Sequence, residues 1–225
     1  MTRSNSEAKQ IKFMTQTVWI ARHGNRLDFV NPAWFNTAER PYDPPLSEDG
    51  LVQASQLAQR LVGVGIKHIF ASPFLRTVQT ASAVADLLDL PINLELGLSE
   101  WLNSEWMKTE PERLPIEILQ EKFPRIDRDY TSCIIPRYPE TSNEVLERSG
   151  ATARLLTSKF SEDILLVGHG ASVIGTSQGL LGEAPEIKAS LCCLVKLVRQ
   201  EEKWLMELKG DTSHLSQTED AIRFN

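Results

Sequence analysis

The sequence predicts an α/β fold, built as one domain with a sizeable insertion, and three observations carry that prediction. Short apolar runs suited to buried strands alternate with stretches whose apolar residues recur at helical spacing. Two of those runs end in a histidine beside glycine, as Ala21-Arg22-His23-Gly24 and as Val167-Gly168-His169-Gly170. At 225 residues the chain can bury a core of its own without disulfides or metals to staple it.

Each element follows from its residues. A polar leader over residues 1–16 gives way to a first strand at Thr17–Ala21. Asn25–Pro45 is proline-rich and irregular. Ser47 is placed to cap a helix with an apolar stripe of Leu51, Ala54, Leu57, Ala58 and Leu61, and Gly63 and Gly65 end it. A strand at Ile66–Ala71 leads through Ser72-Pro73 into a helix at Leu75–Leu88, and Pro91–Leu96 is a third strand. Residues 97–143 form the insertion, rich in Trp, Pro, Arg and Glu, with a short helix near Pro115–Lys122; connections this long usually act as lids or binding segments. Asn143–Lys159 is a helix, Ile164–Val167 a strand and Ala171–Leu180 a helix. Leu191–Val198 and Trp204–Leu208 close the chain as a hairpin, which completes one domain over residues 17–225.

Composition excludes several function classes. A net charge of -6 argues against a broad nucleic-acid surface, and no apolar run reaches the roughly 20 residues needed to cross a bilayer. The polar N-terminus has no signal-peptide core. Cys133, Cys192 and Cys193 have no metal-ligand spacing, and with the last two on a strand their side chains would point to opposite faces. Packed thiols and the missing signal place the protein in the cytoplasm, without a membrane or nucleic-acid partner.

The candidate chemistry gathers at strand ends, where open α/β sheets bind ligands. His23 is suited to act as a neutral nucleophile, and Arg22 and Arg26 offer donors to an anion from the same loop. Taken alone, the triplet reads more readily as ordinary surface arginines and a satisfied strand-end histidine. Arg76 falls in the first turn of a helix, where it opposes the helix dipole and gains nothing for stability; together with the helix N-terminus it suggests an anion site. Glu100, beside Trp101, is a candidate general acid whose pKa desolvation would raise, with Glu105 and Glu110 as competitors. His169 sits between two glycines that let a substrate approach the backbone. His68 reads as structural, and the role of His214 stays open. Neither His23 nor His169 has a partner at metal-ligand spacing, so no metal and no cofactor are expected.

In order along the chain, Arg22-His23-Gly24, Ser72-Pro73 with Arg76 and Gln79-Thr80-Ala81, Glu100, and Gly168-His169-Gly170 resemble the histidine phosphatase superfamily, also called phosphoglycerate mutase-like. The resemblance runs from about Thr17 to Leu180. It implies a three-layer α/β/α fold with a mainly parallel central sheet, the insertion following the third strand. It also implies a metal-independent reaction through a phosphorylated histidine. By the resemblance His23 is the nucleophile, Arg22, Arg76 and His169 hold the phosphoryl group, and Glu100 donates the proton to the leaving oxygen.

Asn25-Arg26-Leu27-Asp28 follows the triplet where bisphosphoglycerate-dependent mutases carry Ser, Trp and Asn. It is similar instead to phosphatase-type members, which makes Arg26 a further phosphate ligand. Tyr42-Asp43-Pro44-Pro45-Leu46 and Glu100-Trp101 are similar to the phosphatase domains of the suppressors of T-cell receptor signalling and their insect steroid-phosphate relatives. The expectation is a phosphomonoester hydrolase acting on a small phosphorylated substrate or a phosphopeptide, and relatives with the closing hairpin suggest a homodimer. The alternatives are a phosphoglycerate mutase or sugar-bisphosphate phosphatase on the same site, and a low-turnover regulatory phosphate-binding protein.

Overall fold

The structure, a computed structural model, describes residues 15–217. The leader expected over residues 1–16 therefore lies outside the described residues except for Thr15 and Gln16. Gln16 is buried, and its side-chain amide donates to the carbonyls of Phe160 and Glu162.

Six strands form one sheet: β1 (Thr17–Arg22), β2 (His68–Ala71), β3 (Ile92–Leu94), β4 (Ile164–Gly168), β5 (Leu194–Gln200) and β6 (Lys203–Asp211). Their spatial order is β3-β2-β4-β1-β5-β6. The first four of these run parallel, and the β5–β6 hairpin adds two antiparallel strands beyond β1. The sheet is thus mainly parallel, as the resemblance implies.

The helices are α1 (Leu27–Val30), α2 (Trp34–Thr37), α3 (Glu48–Arg60), α4 (Leu75–Leu88), α5 (Ile116–Lys122), α6 (Ser142–Lys159) and α7 (Gly170–Leu181). Alternation along the strands sorts the core into two layers. Trp19, Ala21, Ile69, Leu165 and Val167 face α3 and α4, packing on Leu57, Leu61, Val78 and Ala81. Val18, Ile20, Phe70, Ile164 and Leu166 face α6 and α7, packing on Ala153, Leu156, Val173 and Leu180. Helices on both faces of a buried parallel sheet make the three-layer architecture. No helix among the described residues is long and apolar enough to cross a membrane.

Several expectations change in detail. Ser47 caps α3 by accepting from the Gly50 amide, but Leu51 is 50% exposed. The buried face runs through Gly50, Gln53, Ala54, Leu57 and Ala58 instead, and the polar Gln53 is satisfied there by a 2.8 Å bond from the Asn25 amide to its side-chain oxygen. The irregular Asn25–Pro45 segment holds the two one-turn helices α1 and α2. Cys192 and Cys193 precede β5 rather than lying on it; Cys192 sits in a turn at φ +55°, and no disulfide joins the three cysteines.

The neighbours β1 and β4 send their following helices to opposite faces, α3 to one and α7 to the other. A crevice opens at the carboxyl ends of strands where connections diverge in this way. Arg22 pairs with Gly168 across that seam, and the next residues on each strand are His23 and His169.

Candidate active site

His23 and His169 leave adjacent strands together, and the His23 amide donates to the Gly168 carbonyl at 3.0 Å. Their rings meet edge to face with centroids 5.3 Å apart, and both are fully buried. The Nδ1 of His23 lies 2.7 Å from the Gly24 carbonyl oxygen. A carbonyl can only accept, so we assign the proton to Nδ1, which leaves the Nε2 lone pair free. That nitrogen makes no hydrogen bond among the described residues. Burial, followed by the charges of Arg76 and Arg22, holds the His23 pKa well below its ordinary value, so the ring is neutral at physiological pH.

Helix α4 fixes this loop. Thr80 Oγ1 accepts from the Gly24 amide at 3.2 Å, and Gln79 accepts from the Leu46 amide at 2.7 Å. A methyl group on Gly24 would stand 2.6 Å from the Gly50 carbonyl oxygen, so only glycine lets α3 approach this closely.

His169 starts α7, and its backbone amide donates to Ser172 Oγ at 2.7 Å. On its ring, Nε2 lies 2.8 Å from Ser72 Oγ and Nδ1 lies 3.3 Å from Glu100 Oε2. A carboxylate accepts, so we assign the proton to Nδ1, with the Ser72 hydroxyl donating to Nε2. Burial pushes the His169 pKa down to about 4, with Glu100 opposing it.

Arg76 is 1% exposed and reaches Glu100 Oε2 at 3.2 Å, with the same Nη2 3.2 Å from His169 Nδ1. Its pKa is lowered to about 10, chiefly by burial, so it stays charged at neutral pH. The anion site expected at the start of α4 is already filled. Asp43 Oδ1 accepts from the Leu75 amide at 2.7 Å and lies 3.9 Å from Arg76. Asp43 thus removes the conflict between Arg76 and the helix dipole. The helix start that faces the cleft belongs to α7, through Gly170 and Ala171.

Glu100 departs from the expected raised pKa. Burial does push its carboxyl up, but the charge and hydrogen bond of His169, and then Arg76, hold it well below the usual carboxylate range. Charged neighbours at hydrogen-bond distance outweigh the desolvation that an adjacent tryptophan supplies. Glu105 and Glu110 do not line the cleft. Arg148 on α6, which sequence reasoning missed, holds the Glu100 segment. Its guanidinium donates to the carbonyls of Gly97, Ser99 and Glu100 and pairs with Glu140. One of two arginines on an amphipathic helix carries no signal of such a role. Ser72 was legible only as part of a motif.

Arg22 donates to the Ala189 carbonyl at 2.7 Å, and Arg26 is ion-paired with Asp28 while lying 4.2 Å over the Phe29 ring. With Arg76 and Glu100 they line a cleft of about 370 Å³ whose outer wall is Phe29, Phe35, Tyr42, Trp101, Trp106 and Met107. Of the other histidines, His68 packs on Phe160 at the opposite end of the sheet, near Glu162. His214 stands away from the cleft. Its Nε2 donates to the Cys192 carbonyl at 3.1 Å, and the Cys192 amide in turn donates to the His23 carbonyl.

Ligand atoms of His23, Glu100 and His169 lie within 4.8 Å of one another, close enough to share a metal ion. The surroundings fit an anion better. Arg22, Arg26 and Arg76 surround the cluster, and among the described residues the only carboxylate in the cleft lining is already shared by Arg76 and His169.

The 55 kDa subunit of transcription factor tau from Saccharomyces cerevisiae is 28% identical over 92% of this chain, which spans 58% of that protein's length. A probable phosphoglycerate mutase from Yersinia pestis is 30% identical over 88% of the chain and 94% of its own length. The ecdysone phosphate phosphatase from Bombix mori, solved with tungstate, superposes with a TM-score of 0.72 at 24% identity, covering 93% of this chain and 98% of its own. A family model for branch 1 of the histidine phosphatase superfamily matches residues 18–212, and the chain belongs to that superfamily.

Proposed function

We propose that the protein hydrolyses phosphomonoesters through a phosphohistidine formed on His23. The observation that carries this reading is the His23 ring, with Nδ1 tied to the Gly24 carbonyl and Nε2 unbonded beside buried Arg76 and His169. A neutral nitrogen lone pair amid cations suits attack on a phosphoryl group, whose charge is spread over its equatorial oxygens.

In the first step Nε2 bonds to phosphorus as the ester P–O bond breaks. Arg22, Arg26, Arg76 and the Nδ1–H of His169 hold the oxygens. Glu100 supplies the proton to the departing alkoxide or phenoxide, and as a carboxylate it then takes one from the water that releases phosphate. Free Glu100 is ionised, because Arg76 and His169 hold it so. An arriving phosphoryl dianion competes for both partners and repels the carboxylate, which raises its pKa toward the proton-donor range.

The cleft also favours one kind of leaving group. Three arginines sit at its floor and aromatic rings form its outer wall, and among the described residues the lining holds no further cation for a second phosphate or carboxylate. This supports a small monophosphate with an aryl or other apolar body over a phosphoglycerate or a sugar bisphosphate. The Bombix mori relative is named for a phosphate ester of that kind.

Mixing the enzyme with a radiolabelled aryl phosphate and quenching rapidly should trap an acid-labile phosphoenzyme that His23→Ala lacks. Full turnover by His23→Ala would refute the reading. Transfer between positions of phosphoglycerate, dependent on bisphosphoglycerate, would establish the mutase alternative. Phosphate binding without hydrolysis of any ester would establish the regulatory one.

A further inference from the structure

A second cleft of about 410 Å³ opens where the insertion crosses the end of β3, and it shares no lining residue with the catalytic cleft. Its wall is apolar, made chiefly by Leu94, Leu96, Leu114, Ile116 and Ile135. Ile116 and Ile135 are both exposed, Ile135 by 73%. Branched aliphatic side chains held open to water around a concavity mark a binding surface more than a folding requirement.

Among the described residues Arg113 is the single charged residue in that lining. It is half-buried, and among the described residues its guanidinium makes no hydrogen bond or ion pair. Its one contact of note is the face of Phe74, 5.5 Å from the ring centroid. Glu110 and Asp43 attract it, yet neither comes within ion-pair distance. Arg125 and Arg148, also on or beside the insertion, are committed, the first to Asp86 and Asp89 and the second to Glu140. Arg113 thus presents an uncommitted planar fork beside a greasy wall, and that fork matches a carboxylate bidentately. A phosphate dianion would call for more than one cation.

We propose that this cleft binds an amphipathic monocarboxylate, with the carboxylate on Arg113 and the hydrocarbon body over Leu96, Ile116 and Ile135. Apolar burial supplies affinity, at about 0.8 kcal/mol per methylene removed from water. The guanidinium sets orientation and selects the charged head. This site is independent of the reaction assigned to His23.

The test is a methyl and indole NMR titration of the full chain with octanoate, and with octanol as the uncharged match. Octanoate should shift the Ile116 and Ile135 methyls saturably at millimolar concentration and leave the Trp106 indole of the catalytic cleft in place. Octanol should bind about tenfold more weakly, and Arg113→Gln should weaken octanoate by about tenfold or more, the usual worth of a charge-assisted contact. The comparison of the two ligands on wild-type protein stands even if the variant fails to fold. Equal affinity for octanol would mean a plain apolar groove and overturn the proposal. So would an absence of saturable shifts at Ile116 and Ile135, or shifts confined to Trp106.

Discussion

Arg148 Nη2 donates to the Glu100 carbonyl oxygen at 3.1 Å, so a buried cation on α6 sets the backbone beneath the carboxylate that faces both histidines. The same guanidinium reaches Gly97 and Ser99 and is neutralised by Glu140 at 2.5 Å. A lysine, with one point charge, cannot span these acceptors. Arg148→Lys should therefore lower kcat about ten- to a hundredfold, since small misplacements of a catalytic group cost rates of that order. If Arg148 positions the proton donor, the loss falls most heavily on alkyl phosphates and least on p-nitrophenyl phosphate, whose leaving group needs no proton. Equal losses for both substrates would reduce Arg148 to a stabilising role. Melting curves of Arg148→Ala should show the cost of leaving Glu140 buried without its partner, about 3 kcal/mol.

Gly24→Ala tests the closeness of α3 to the His23 loop. The added methyl would meet the Gly50 carbonyl oxygen at 2.6 Å, and neither backbone can yield without moving Asn25 or His23. Overpacking of this kind costs roughly 1–3 kcal/mol, and here the strain falls on the residue that holds the nucleophile. The variant should melt lower and lose most of its turnover. An unchanged kcat would mean that the loop does not set the His23 geometry.

The two histidine loops were legible because glycine-flanked histidines after apolar runs are rare and their chemistry is local. Helix α4 was legible to the residue, its apolar spacing running unbroken from Leu75 to Leu88. What the sequence hid was long-range. Asp43 reaches the start of α4 across 32 positions, and Arg148 reaches Gly97 across 51. Periodicity says which face of a helix is buried, not which distant carbonyl a buried arginine meets. Glu100 was read with the wrong sign of pKa shift for the same reason. Its tryptophan neighbour is adjacent in sequence, but the groups that decide its charge, Arg76 on α4 and His169 at the start of α7, come from elsewhere in the chain.

The buried histidines make stability depend on pH. An unfolded chain takes up a proton on His169 near 6.5, whereas the folded ring resists until about 4. The unfolded state therefore binds more protons between those values. The contribution is complete above 6.5 and is lost as pH falls toward 4. His23 is lowered as well and acts in the same sense, and Glu100, also lowered, adds a loss at still lower pH. Wild-type stability should thus fall steeply over this window. Against His169→Gln, which has no proton to take up, the difference should narrow by on the order of 3 kcal/mol between neutral pH and pH 4. Denaturant melts of both proteins across the range check this, and parallel curves would show that His169 is not buried in neutral form.

The aromatic wall predicts a selective loss of affinity. Trp106 is 60% exposed at the mouth of the cleft and stands edge to face with Trp101 at 4.8 Å, which leaves one indole face open to a ligand. Stacking there would add to binding without touching the phosphoryl group, so it should appear in KM and not in the chemical step. Trp106→Ala should raise KM for a naphthyl or steroid-like phosphomonoester about tenfold, in line with the burial of one aromatic face. It should leave KM for phosphoserine almost unchanged, because that side chain is too short and polar to use the wall. A uniform rise for both substrates would mean that Trp106 shapes the phosphate site itself. The aromatic wall would then be packing for the insertion, and the preference for an apolar ester would have to come from elsewhere in the cleft.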